Sequence, residues 1–301
     1  MEPQWPQVRP IAGERLVAEV RDRTGIRLEL LGRLPGGQVG AALVRLPDGS
    51  TAVMSSWSRE RYDRIPVITR VVDRLREAGY PAPGYRHVID CGDVVAVVQD
   101  YVDGGWVGAV TVGLLRNLLE LNGRQRQVFD RPVGSLADLY LSQDGPGFCL
   151  HAPLISHSVE SRALLDWIHE VGRTASDDVF RGTDAVHTDF HPGNVLLARG
   201  STERVAGVVD WTGATIGDCG LDLVTLGFAC DFMPTEPPVV GLLRDHIRAT
   251  VPPEQLVAFT AHMALRMVDW AIRHFPPRKL AHWIAIAQDW RSFALDTAHG
   301  R

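Results

Sequence analysis

From Arg27 to Trp57, apolar and polar positions alternate in three short runs, RLELLGRL, AALVRL and TAVMSSW, separated by the turns PGGQVG and PDGS. A period of two broken by glycine and proline predicts strands joined by tight turns. The period then changes. Ile65, Ile68, Val71, Val72 and Leu75 recur at helical intervals, which predicts a helix within about 58–78. Pro66 conflicts with a helix interior and suits a first turn, so the helix is expected to begin near it. RHVIDCGDVVAVVQDYV reads as two further strands around a turn at Cys91-Gly92-Asp93. The first third is therefore expected to be a small, mainly antiparallel sheet with one helix.

DGGW at 103–106 reads as a hinge, and helical periods dominate beyond it. TVGLLRNLLELNG has a cap candidate in Thr111 and a stop at Gly123. Residues 130–155, rich in proline and glycine, predict no clear element. SVESRALLDWIHEVGR is an amphipathic helix, VLLA and RVAGVVD read as a hairpin, and helices are expected over about 254–275 and 278–297. The fold class is thus α+β and two-lobed, with a small β lobe over 1–102 and a larger, mainly helical lobe over 103–301. A ligand cleft is expected where they meet.

Composition narrows the function. The chain has 301 residues, 45% hydrophobic and 22% charged, with a net charge of -5. That charge argues against wholesale binding of nucleic acid. Runs such as VVAVVQ and AHWIAIA are far too short to cross a bilayer, so no membrane partner is expected. MEPQWPQVRP has no apolar signal-peptide core. Cys91, Cys149, Cys219 and Cys230 have neither metal-like nor disulfide-like spacing, which fits reduced thiols in a cytoplasmic protein. Lys279 is the only lysine, so no lysine is available before it.

The densest chemistry lies in HTDFHPGN, residues 187–194. One reading is a metal site from His187, Asp189 and His191, which alternation would put on one side of an extended segment. Pro192 and Gly193 interrupt that regularity, and no fourth ligand is evident. A second reading is a polar turn with capping side chains. A third is a phosphoryl-transfer loop, in which an aspartate receives the proton of the attacking hydroxyl. In that template an asparagine five positions later, with a second aspartate beyond a strand, holds magnesium. Asp189, Asn194 and Asp210 have that spacing.

HTDFHPGNVLL followed by VVDWTGATIGDCGLDL resembles the signature of the aminoglycoside phosphotransferase and choline kinase-like family: His-Gly-Asp-Leu-His-Pro-Gly-Asn, then Ile-Asp-Trp/Phe and Gly-Asp-Pro-x-x-Asp-Leu. The resemblance implies a protein-kinase-like fold and transfer of a phosphoryl group from ATP or GTP to a small-molecule hydroxyl. It implies Asp189 as base or orienting group, and Mg2+ on Asn194 and Asp210. His187 would brace the loop, and His191 would stand beside the metal ligands. Asp218 would tie the loop to the next helix, and Asp222 would cap that helix. In the small lobe, Gly36, Gly37 and Gly40 would let backbone amides approach phosphates. The backbone of Asp100 and Val102 would read the base, with Val98 lining the pocket.

One position departs from the family pattern. The third strand normally supplies a lysine or arginine to the phosphates, and here Ser55 stands in its place. Arg70 falls near the position of the glutamate that pairs with that cation; Glu60 is another candidate for that glutamate position. Arg59, Arg61 or Arg70 could therefore take over the phosphate contact. Otherwise the chain is an idle kinase-like subunit that works with a peptide or protein partner. Acceptors in the family include antibiotics, choline-like amines and sugars. Glu160, Asp166, Asp177, Asp178, Asp184, Asp269 and Asp289 are acidic candidates for a cationic acceptor's pocket, although solvated helix faces explain most of them. Trp270, Trp283 and Trp290 read first as core.

Overall fold

The computed structural model describes residues 13–34 and 40–300, with the side chains of Glu60 and Arg61 outside that description. The chain begins with helix α1 (Gly13–Thr24) and strands β1 (Glu29–Leu34), β2 (Ala41–Arg45) and β3 (Thr51–Ser58). A 3-10 turn over Arg59–Arg64 leads into α2 (Ile65–Glu77), with Pro66 in its first turn. Strands β4 (Tyr85–Asp90) and β5 (Val94–Asp100) complete an antiparallel five-stranded sheet of order β1-β2-β3-β5-β4.

Alternation along these strands gives the sheet two buried faces. Ala42, Val44, Ala52, Met54, Ala96 and Val98 pack outward against Leu16 and Val20 of α1. Trp57, Val95 and Val97 face inward, where they pack with Ile68, Val71, Val72 and Leu75 of α2. The expectation of one helix in this lobe is therefore corrected, because α1 covers the outer face. Leu16 and Val20, one helical turn apart, carry its only fully buried apolar contacts, too short a stripe to stand out among charged neighbours. The inner cluster continues into the core of the helical lobe.

The second lobe begins with β6 (Gly105–Trp106), inside the expected hinge, and α3 (Val112–Gly123). The Thr111 hydroxyl accepts the N–H of Leu114 at 3.0 Å, capping α3. The segment without a clear pattern holds a 3-10 turn over Leu136–Leu139 and α4 (His151–His157). Then follow α5 (Val159–Thr174), β7 (Asp184–Val186), β8 (Val195–Leu197), β9 (Val205–Val208), β10 (Thr215–Gly217) and α6 (Gly220–Phe232). The chain continues with α7 (Pro237–Thr250), absent from the sequence expectation, then α8 (Pro253–His274) and α9 (Pro277–Ala298). Two small sheets, β10-β7 and β6-β8-β9, frame the loops between them.

Packing in this lobe centres on α6, α8 and α9. Trp290 is fully buried; its ring stacks on Phe228 at 5.2 Å between centroids, and its Nε1–H donates to Asp231 at 2.7 Å. Trp283 stacks on Phe232, so both tryptophans are core. Among the described residues no helix is long and apolar enough to cross a membrane. Trp290→Ala should lower the unfolding free energy by about 3–5 kcal/mol through the cavity it leaves. A urea titration reads this directly, and a loss below about 1 kcal/mol would contradict the packing.

Candidate active site

Strand β7, held in register against β10, delivers the chain to His187. His187 is fully buried, and its backbone neighbours decide its tautomer. Its Nε2 faces the carbonyl of Val209 at 2.9 Å, and its Nδ1 faces the N–H of Asp189 at 3.2 Å. A carbonyl only accepts and an amide N–H only donates, so Nε2 carries the proton and Nδ1 accepts. Burial pushes the His187 pKa down, which keeps this neutral form. His187 thus joins the 187–194 loop to the end of β9 and braces it.

Thr188 has φ +67 and Asp210 φ +64, a left-handed backbone that is uncommon for residues other than glycine. Such strain persists where the surroundings impose it. At Thr188 the restraint is Asp222, which is fully buried at the start of α6. Its carboxylate accepts the N–H of His187 at 2.7 Å, the N–H of Thr188 at 2.8 Å and the Gln125 amide at 2.8 Å. Burial pushes the Asp222 pKa up to about 7, against these donors, which favour the carboxylate. The first N–H of α6 is met by Asp218 instead, whose Oδ1 accepts from Gly220 at 2.8 Å, one residue before the N-cap Cys219. The roles expected for Asp218 and Asp222 are therefore exchanged. Gly213 passes so close to Thr188 Oγ1 that a Cβ there would collide with it, which fixes glycine at this crossing.

Asp189 and Asn194 meet across the 3-10 turn Pro192–Asn194. Asn194 Nδ2 donates to the Asp189 carbonyl at 2.9 Å and to its Oδ2 at 3.2 Å. The amide is thereby oriented, and its Oδ1 is left without a protein partner among the described residues. The backbone carbonyl of Asn194 accepts the N–H of Val209 at 2.8 Å, and β8 pairs with β9, so Asp210 emerges beside Asn194. One Asp210 oxygen accepts from Thr212 at 2.9 Å. His191 Nδ1 accepts the N–H of Gly193 at 3.0 Å, which caps the turn and places Nε2 3.5 Å from Asp189 Oδ2. His191 therefore serves the turn and the Asp189 carboxylate.

Arg266 of α8, which sequence reasoning did not single out, joins this group. Its Nη2 lies 2.8 Å from Asp189 Oδ1. Burial alone would raise the Asp189 pKa, but Arg266 and then His191 outweigh it and hold the carboxyl well below the usual range. The available signal was a lone arginine inside the apolar stretch AHMALRMV.

The small-lobe assignments fare differently. Gly36 and Gly37 lie outside the described residues; Gly40, at φ +75, leads into β2. Ser55 faces inward, paired with Val97 and two residues from Trp57. Arg59 is ion-paired with Asp90 and Arg70 lies over the Phe129 ring at 5.1 Å, so neither is placed at Ser55. Arg61 has its side chain outside the described residues. Val98 belongs to the outer cluster under α1, because alternation turns it away from the cleft; Val97 and Gln99 have the inward parity. The Asp100 N–H donates to Gly84 at 2.9 Å, and its carboxylate binds Arg76 and Arg86. Val102 lies against β9, where a side chain at Gly207 would collide with it.

Four of the acidic candidates are engaged with protein partners. Asp269 is buried in an ion pair with Arg273, Asp289 pairs with Arg244, and Asp178 pairs with Arg181. Asp184 accepts the N–H groups of Gln127 and Cys219.

Among family models, that of the phosphotransferase enzyme family matches residues 33–256. The chain belongs to that family. Among solved structures, a thermostable mutant of aminoglycoside phosphotransferase APH(4)-Ia, in ternary complex with AMP-PNP and hygromycin B, superposes with a TM-score of 0.65 at 14% identity, covering 96% of this chain and 100% of that one. A putative fructosamine-3-kinase from Thermobifida fusca gives 0.58 at 15% identity, with coverage of 94% and 99%. Amicoumacin kinase hAmiN, in complex with AMP-PNP, Ca2+ and Ami, gives 0.55 at 14% identity, with coverage of 96% and 94%. No curated protein matches the chain significantly. At these identities the phosphotransferase shares its two-lobed, kinase-like fold with these structures.

Asp222→Ala would leave the N–H groups of His187 and Thr188 and the Gln125 amide without their acceptor. At about 1–3 kcal/mol for each buried donor, the loss should reach about 3 kcal/mol or more in denaturant titration. Val98→Ala should lower stability by about 1–2 kcal/mol while leaving nucleotide KM within about twofold, because Val98 fills the outer core. A KM rise without loss of stability would return Val98 to the cleft.

Proposed function

We propose that this phosphotransferase is a small-molecule kinase that moves the γ-phosphoryl group of ATP or GTP to a hydroxyl of an antibiotic-like, amine or sugar acceptor. The observation that carries this reading is the Asn194 amide, locked by Asp189 so that its Oδ1 faces away, with Asp210 brought beside it by the hairpin. Two hard oxygen donors suit Mg2+, which takes its remaining ligands from phosphates and water. Mg2+ on Asn194 and Asp210 would neutralise phosphate charge. The neighbouring structures that hold AMP-PNP with hygromycin B or with Ca2+ and Ami support a nucleotide and a small acceptor as the two substrates.

In this reading Asp189 accepts a hydrogen bond from the acceptor hydroxyl and so aims its oxygen at the γ-phosphorus. The acceptor O–P bond forms as the bond between γ-phosphorus and the bridging oxygen breaks. The electron pair stays on the nucleoside diphosphate, and the hydroxyl proton passes to Asp189. Fixing the Asp189 carboxylate through Arg266 and Asn194 orients it toward the acceptor hydroxyl. His187 and Asp222 contribute by fixing the loop.

ATP or GTP with Mg2+ should raise the thermal midpoint, since ligand at about 100 times Kd stabilises by about 2.7 kcal/mol. Asp189→Asn should keep that shift and abolish phosphoryl transfer. No shift with either nucleotide, or transfer surviving in the variant, would overturn the reading.

A further inference from the structure

Helix α8 runs through the core, with Leu256, Phe259, Leu265 and Val268 buried, so Arg266 leaves a well-anchored segment. Its guanidinium reaches two successive residues of the loop. Nη2 lies 2.8 Å from Asp189 Oδ1, and Nη1 donates to the carbonyl of Thr188. The other face of the guanidinium lies 6.0 Å from the Phe148 ring centroid. Thr188 is therefore gripped from both sides: Asp222 of α6 takes its N–H, and Arg266 of α8 takes its carbonyl. The grip falls on the left-handed residue immediately before Asp189.

The Asp189 carboxylate is fixed in the same way. Arg266 holds Oδ1, while Asn194 and His191 face Oδ2. Without Arg266 one oxygen loses its partner and rotation about the Cα–Cβ bond is no longer opposed from that side. Only a planar fork with parallel N–H groups spans a carboxylate and an adjacent carbonyl in this way; a lysine ammonium is a single point. The Arg266 and Asp189 side chains are 21% and 31% exposed. A pair that open to solvent adds little to overall stability, so its consequence should fall on the geometry of the reacting group.

We propose that Arg266 is a positioning residue for phosphoryl transfer, fixing the Asp189 carboxylate and the strained Thr188 peptide in the orientation that meets the acceptor hydroxyl. This rests on the kinase reading of the same site. With no lysine in the small lobe and a serine at position 55, it also places a fixed cation beside the transfer point from the helical lobe.

The test needs no known acceptor, because water can receive the phosphoryl group. Release of labelled phosphate from γ-labelled ATP and GTP with Mg2+ is followed for the full chain, with enzyme in excess to capture slow turnover. Arg266→Met should lower kcat about 10–100-fold, the scale of a misplaced reacting group, with nucleotide KM within about twofold. Arg266→Lys should recover part of the loss, as should free guanidinium added to Arg266→Ala; these two readouts serve if the methionine variant folds poorly. The inference is overturned if Arg266→Met keeps the wild-type kcat, or if the loss appears in nucleotide KM. Wild-type protein that releases no phosphate overturns the kinase reading, and the inference with it.

Discussion

The candidate site depends on one buried carboxylate. Asp222 has no solvent of its own, and an ionised group in such a place is tolerated only when donors surround it. Here the donors are the Gln125 amide and the backbone N–H groups of His187 and Thr188. Gln125 is in turn held by Ala185 and Asn122, and Asn122 donates to the carbonyl of Cys219 beside Asp218. The network therefore ties α3's exit, β7, the 187–194 loop and the start of α6 into one unit. A partly satisfied network of this kind is worse than an apolar core, which makes its members interdependent. The left-handed Thr188 is a consequence: its amide is pinned by Asp222, and the chain must turn there to present Asp189.

From that fixed loop the remaining geometry follows outward. His187 links the loop to Val209, and Asn194 links it to both Asp189 and the β8–β9 hairpin. The small lobe reaches the same region through α2, whose approach ends with Arg64 donating to the Gly213 carbonyl at 3.4 Å. Behind Ser55 stand Trp57 and Tyr85, edge to face at 5.8 Å, with the Tyr85 hydroxyl buried and lacking a partner among the described residues. The interior behind Ser55 is thus aromatic, whereas Arg266, fixed against Asp189, comes from the helical lobe.

Much of the architecture was legible because it is written in local periods. The five strands, α2 with Pro66 in its first turn, and the Thr111 cap all follow from spacing within a few residues. Asp189 and Asn194 were legible for the same reason, since one turn joins them. What was not legible needs the third dimension. A carboxylate near a helix start can cap that helix or reach out to another segment, and the sequence does not distinguish Asp218 from Asp222. An error of one residue on a strand inverts the face, which is why Val98 lies under α1 while Val97 and Gln99 turn the other way. Arg70 has the spacing of a cleft residue, yet a phenylalanine ring in the helical lobe holds it. Arg266 lies far along the chain on a helix whose other residues are core, and only packing reveals its target.

If Asn194 and Asp210 together receive a divalent metal with the nucleotide, both side chains are needed to hold it. Mn2+ can replace Mg2+ and be followed by the relaxation enhancement of water protons. With ATP or GTP present, the wild-type protein should show strong enhancement, and Asn194→Ala and Asp210→Ala should each lose most of it while remaining folded. No enhancement in the wild type, or enhancement unchanged in both variants, would contradict the account.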